Sequence, residues 1–200
     1  MQRTRIYLIR HGQVAGHEEK RYNGHADVPL TAEGEAQFGL LQLRLKKKQE
    51  ITAVYSSDLS RCLNGARLLA ASHDLDVQID AQLRELNIGL WEGKSWSEIQ
   101  REFPQEWQAR LDDIVNYQVP QGESLALLAA RVRPVIAAIV ARHGGEEVVV
   151  VAHGGVNRVI LLEAIGAPLD RLFSIEQSYG CLNIIDYYAD GNAVVQLLNG

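Results

Sequence analysis

Glu147-Val148-Val149-Val150-Val151-Ala152 constrains this chain more than any other stretch. A strand that is apolar at successive positions shows apolar side chains to both faces of its sheet, so both faces must be covered. A central parallel strand in an α/β protein meets that condition. The strand runs directly into His153-Gly154-Gly155, and Arg5-Ile6-Tyr7-Leu8-Ile9 has the same two-faced character and runs into Arg10-His11-Gly12. Two buried strands therefore each deliver a histidine and a glycine to the carboxyl edge of a sheet, where open α/β sheets bind their ligands.

The remaining chain alternates strand-like and helix-like patterns without internal repeats. Residues 13–29 are polar and hold Gly16, Gly24 and Pro29, which predicts a loop over the sheet's carboxyl edge. Thr31 ahead of Glu33 and Glu35 looks like a capping-box start, and Ala36, Leu40, Leu43 and Leu45 follow at helical spacing, up to the solvated run Lys46-Lys47-Lys48. Ile51 to Tyr55 predicts a second strand, and Ser56-Ser57-Asp58 opens a helix with Arg61 in its first turn. A third strand, Val77 to Ile79, leads to Leu83-Arg84-Glu85-Leu86. Residues 87–121 are less regular, contain Trp91, Trp96, Trp107 and Tyr117, and read as a segment capping the active site.

Gly122-Glu123-Ser124 starts a long helix whose Leu125, Leu128, Val132, Ile136, Ile139 and Val140 form one apolar stripe, ended by Gly144-Gly145, with Pro134 an anomaly inside it. A helix from Val156 to Ile165 follows His153. Cys181 to Tyr187 and Ala193 to Leu198, joined by Asp190-Gly191-Asn192, predict an antiparallel hairpin at one side of the sheet. His73 and His143 read as surface groups.

Two hundred residues, 46% hydrophobic and 22% charged, fit a single globular domain over residues 1–200. With 20 basic against 25 acidic residues and a formal net charge of −5, the chain lacks the basic excess of a nucleic-acid binder. Only four apolar residues separate Arg5 from Arg10, far short of a signal-peptide core or membrane span, so a cytoplasmic location is expected and no membrane partner. Cys62 and Cys181 stand far apart and are expected as free thiols. Oligomeric state is not legible.

The chemistry gathers at the strand ends. Arg10, His11, Arg61 and His153 each follow a strand or open the helix after one, so four cationic or potentially cationic groups converge on one place. A phosphate suits it, because guanidinium pairs oxyanions and the helix after Gly154-Gly155 points free amides at the same spot. In this scheme His11 attacks phosphorus, while Arg10, Arg61 and His153 neutralise the equatorial oxygens. Glu85 protonates the departing alkoxide and then deprotonates the water that hydrolyses the phosphohistidine. No cofactor or metal enters the scheme, and two arginines beside the histidines would repel a dication.

Five ordered motifs resemble the histidine phosphatase superfamily, also called the phosphoglycerate mutase-like family. They are residues 9–12 (IRHG), 21–31 (RYNGHADVPLT), 55–62 (YSSDLSRC), 83–93 (LRELNIGLWEG) and 151–155 (VAHGG). The resemblance implies a three-layer αβα sandwich whose mostly parallel sheet has an antiparallel edge strand. It also implies His11 as the phosphorylated residue, Arg10, Arg61 and His153 as phosphate pocket, Glu85 as proton donor, and Asn23 and Gly24 touching phosphate. Gln13 stands where many members have glutamate, and His17 where many have a phosphate-contacting asparagine.

Residues 89–93 and 120–124 are similar to the compact cofactor-independent phosphatases, including those that act on α-ribazole 5′-phosphate in cobalamin synthesis. The resemblance favours hydrolysis of a small phosphorylated metabolite, because the cofactor-dependent mutases usually carry a longer insertion after the acid glutamate and this chain has little room for one. Phosphoglycerate mutase chemistry and phosphate binding without turnover are the alternatives.

Overall fold

The computed structural model describes residues 2–19, 21–48 and 50–200. Six strands, β1 (Arg3–Arg10), β2 (Ile51–Ser56), β3 (Val77–Ile79), β4 (Glu147–Ala152), β5 (Leu182–Tyr188) and β6 (Ala193–Leu197), form one sheet in the order β3-β2-β4-β1-β5-β6. The first four are parallel. β5 runs antiparallel to β1 and β6 antiparallel to β5, so the antiparallel side is two strands wide.

The two-faced strands split their side chains between two cores, as alternation requires. Val148, Val150 and Ala152 of β4, with Ile6 and Leu8 of β1, pack on one face against α5 (Leu125–Arg142) and α6 (Gly154–Ala164). Val149, Val151, Tyr7 and Ile9 pack on the other, against α1 (Ala32–Leu45) and α2 (Ser60–Ala71). These layers make the expected αβα sandwich. Two short helices, α3 (Trp96–Glu102) and α4 (Pro104–Asp112), occupy the segment between β3 and α5. Among the described residues, no helix is long and apolar enough to cross a membrane.

Helix α5 keeps its expected stripe, starts at Ser124, whose hydroxyl accepts from Leu127 N, and leaves Pro134 and Ala130 on the exposed side. The carbonyl that Pro134 cannot bond is thus on the side where water can reach it. For α1 the buried face differs from the expected one. Gly34, Phe38, Leu41 and Leu45 point inward, Ala36 is exposed, and Leu40 and Leu43 are 68% and 66% exposed. A Cβ on Gly34 would lie 2.1 Å from the Gln13 carbonyl oxygen, and one on Gly12 would lie 2.3 Å from the Gly34 carbonyl oxygen. Backbone contact with the loop after His11 therefore selects the face that carries Gly34. The start of α1 is a simple cap, Gly34 N donating to Thr31 Oγ1, and no glutamate at that third position completes a capping box.

Two further expectations need correction. Helix α2 begins at Ser60, held by Asp27 Oδ1, which accepts from Ser60 N and Oγ; Ser56 ends β2 and Ser57 turns into the site. His143 is buried rather than on the surface. It sits behind the end of α5, 2.8 Å from the Tyr55 hydroxyl and 2.6 Å from Glu146 Oε2. Both cysteines are free and buried.

Candidate active site

β1 ends at Arg10, and α6 begins at Gly154 immediately after β4, so Arg10, His11 and His153 meet at neighbouring strand ends. The His11 and His153 rings are 5.2 Å apart between centroids, and both side chains are buried. His11 Nδ1 lies 2.8 Å from the Gly12 carbonyl oxygen. A carbonyl only accepts, so Nδ1 carries the proton and Nε2 keeps its lone pair. Burial, then the charges of Arg10 and Arg61, hold the His11 pKa well below the ordinary histidine value. The ring is therefore neutral and nucleophilic at pH 7.

Arg61 enters from the first turn of α2 and is 1% exposed. Its Nε donates to His153 Nδ1 at 3.3 Å, its Nη1 to the Ala26 carbonyl, and its Nη2 to the carbonyls of Asn23 and Gly24. Because guanidinium only donates, His153 accepts at Nδ1 and its Nε2 donates to Ser57 Oγ at 3.0 Å. Burial, followed by Arg61, His11 and Arg10, holds His153 neutral as well. Cys62 Sγ donates to the Ala152 carbonyl beside this ring, and burial pushes its thiol pKa up, which keeps it protonated.

Arg10 stacks over the Tyr179 ring with its Cζ 4.0 Å from the ring centroid, donates through Nη1 to the Gln177 carbonyl, and leaves its buried Nε without a partner. Among the described residues, neither Arg10 nor Arg61 forms an ion pair with a carboxylate. Two buried or half-buried guanidiniums held by neutral carbonyls keep their charge available to an anionic ligand.

Glu85 reaches the same place from the segment after β3. Its Oε2 accepts from Gly155 N at 3.0 Å and its Oε1 from Leu86 N at 2.8 Å. A Cβ on Gly155 would stand 2.4 Å from Glu85 Oε1, so that glycine is required by the carboxylate's approach. Gly154 is the first residue of α6, where backbone amides have no helical partner.

The structure thus brings Arg10, His11, Arg61, Glu85, His153 and Gly154 together. Asn23 and Gly24 meet the cluster through their carbonyls on Arg61. His17 lies outside it, in a 3-10 turn at His17–Glu19, with Nδ1 3.5 Å from Glu18 Oε1. Residues 87–121 pack along the loop that holds Arg61: Tyr22 and Lys94 share a backbone bond, and Glu92 accepts from the amides of His25 and Ala26. Tyr179, Gln177 and Ser57 were not foreseen as site residues. The first two lie in an aperiodic stretch before β5, where no pattern marks them.

The sequence matches the pattern of the histidine phosphatase superfamily (branch 1) over residues 6–200. The chain belongs to that family. It is 33% identical over 196 residues to a bifunctional protein of Mycobacterium tuberculosis, a match that covers 98% of this chain and 54% of that one. The chain thus spans about half the length of the curated relatives that head its matches. A probable phosphoglycerate mutase of Serratia proteamaculans is 34% identical over 166 residues, covering 82% of this chain and 75% of that protein. Among solved structures, a putative α-ribazole-5′-phosphate phosphatase of Escherichia coli superposes with a TM-score of 0.90 at 30% identity, covering 98% and 96% of the two chains.

Proposed function

We propose that the chain hydrolyses phosphomonoesters through a phosphohistidine at His11. The observation that carries this reading is the neutral His11 ring, proton on Nδ1, set 5.2 Å from His153 between the unpaired charges of Arg10 and Arg61. The lone pair on Nε2 attacks phosphorus, and the bond to the leaving oxygen breaks as Glu85 transfers its proton to that oxygen. Water then attacks the phosphohistidine, gives its proton to Glu85, and releases inorganic phosphate and neutral imidazole. Arg10, Arg61, His153 and the Gly154 amide hold the phosphoryl oxygens, and Asn23 and Gly24 serve by fixing Arg61. Residues 87–121 wall the leaving-group side, and His17, which lies outside the cluster, has no part in the scheme.

The structural likeness supports α-ribazole 5′-phosphate as the first substrate to test, which would place the enzyme in cobalamin synthesis in the cytoplasm. The charges of Arg10 and Arg61 support a reaction without a dication, so activity is expected to survive a chelator.

A brief mix with labelled substrate should leave an acid-labile phosphoryl group on the wild type and none on His11→Ala. Full turnover by His11→Ala would end the proposal. The relatives described as probable phosphoglycerate mutases favour a second reading, isomerisation of 3-phosphoglycerate. Supplying that substrate with 2,3-bisphosphoglycerate separates the two, since a mutase yields 2-phosphoglycerate and a hydrolase yields phosphate.

A further inference from the structure

Arg131, in the second turn of α5, uses every hydrogen-bond donor it has. Its Nη1 donates to the carbonyls of Gln82 at 2.5 Å and Arg84 at 2.8 Å, and its Nη2 to the carbonyl of Glu85 at 2.8 Å. The remaining two N–H groups go to Glu123, Nε to Oε1 at 2.8 Å and Nη2 to Oε2 at 2.9 Å. Glu123 Oε2 in turn accepts from Asn87 N at 2.9 Å, and Glu123 N donates to the Asn87 carbonyl. On the other side, His25 Nε2 donates to the same Glu85 carbonyl at 3.0 Å. The main chain is thus pinned at residues 82, 84, 85 and 87, around one side chain. A planar fork with five fixed donors is suited to gathering three carbonyls and a carboxylate, which an ammonium on a flexible stem is not.

We infer that Arg131 is a positioning residue for the proton donor, holding the backbone so that the Glu85 carboxyl group meets the leaving oxygen. This rests on the reading in which Glu85 supplies that proton. Arg131 makes no hydrogen bond to Arg10, His11, Arg61 or His153, so its loss should leave the phosphoryl grip in place while the acid drifts.

The test is leaving-group dependence. An alkyl phosphate needs a proton on its departing oxygen, whereas 4-nitrophenolate departs without one, and kcat/KM reports the step in which the phosphohistidine forms. For Arg131→Gln and Arg131→Lys we expect kcat/KM on an alkyl phosphate to fall about 100-fold, on 4-nitrophenyl phosphate less than about threefold, and the inhibition constant of inorganic phosphate to be unchanged. Glu123→Gln, which keeps Arg131 but weakens its anchor, should show the same selectivity at smaller size and guards against misfolding of the arginine variants. Equal losses on both substrates, a weakened phosphate inhibition constant, or no loss at all would overturn the role. Glu85→Gln is the separate control. If it lacks the leaving-group selectivity, the proton-donor reading itself fails; if it shows selectivity that the Arg131 and Glu123 variants lack, only the positioning role fails.

Discussion

Acidification should destabilise this fold through His11 and His153, and the size of the effect follows from where the rings sit. Both are buried beside guanidiniums, so their folded pKa values lie well below 6.5, whereas in the unfolded chain they protonate normally near 6.5. Below pH 6.5 the unfolded state therefore binds more protons than the folded state, and stability rises with pH through this window. The contribution is complete above the unfolded value and is lost as pH falls beneath it. Between pH 7.0 and 5.5 a histidine that stays neutral in the folded state costs about 1.3 kcal/mol, so the pair costs about 2.5 kcal/mol. Carboxylates held low by ion pairs, such as Asp58 and Asp186, lose their contribution at more acid pH and do not enter this window. Urea unfolding at several pH values, on the wild type and on His11→Asn, His153→Asn and the double variant, isolates the term by difference. Each single variant should remove about half of the extra slope. Parallel stability curves for all four proteins would refute the neutral assignment of the two rings, and with it the basis for a nucleophile that is ready at pH 7.

Four further outcomes follow from the geometry. Gly12→Ala puts a Cβ 2.3 Å from a backbone oxygen that cannot yield, and should cost about 3 kcal/mol in urea unfolding. Gly155→Ala instead meets the movable end of Glu85 at 2.4 Å, so stability should change by less than about 1 kcal/mol while kcat/KM on an alkyl phosphate falls about 100-fold. Asp186→Asn removes the partner of Arg5, which it binds at 2.7 and 2.8 Å, at the amino end of the sheet. Since Arg5 keeps 22% of its side chain in water, the loss should be about 2 kcal/mol by urea unfolding, with kinetics unchanged. Tyr179→Ala removes the ring beneath Arg10 and should weaken phosphate inhibition about fivefold, whereas Tyr179→Phe should retain it.

The strands and the histidines were legible because both follow from short-range pattern. Two-sided apolar runs fix β1 and β4 as interior strands, and a polar residue at the end of such a run must emerge at the sheet's edge. What the sequence hid depends on contacts between distant segments. The inward face of α1 turns on Gly34 touching the backbone of Gln13, and no hydrophobic count reveals that Leu40 and Leu43 face water. His143 looked like a helix-end surface residue because its partner, Tyr55, comes from β2, far away in sequence. Tyr179 sits in a stretch with no periodicity at all. Arg131 occupies the polar side of a helix whose apolar stripe was plain, yet its task is visible only once residues 82–87 are laid against it.

These contacts divide the site into two differently supported halves. The phosphoryl grip stands on strand ends and helix starts: His11 and His153 follow strands buried on both faces, and Arg61 lies in the first turn of α2. Moving any of them means moving a core element. The proton donor stands on a segment that has no regular structure of its own beyond the 3-10 turns Ala81–Leu83 and Gly89–Trp91, and it borrows rigidity from α5 through one guanidinium, from the 23–26 loop through His25 and from the first turn of α6 through Gly155 N. Free energy that loosens the second half need not reach the first. Substitutions at residues 82–87 should therefore alter which leaving groups are accepted while phosphate inhibition stays constant, whereas substitutions at the strand ends, or at Glu92 under the loop that holds Arg61, should weaken every substrate alike.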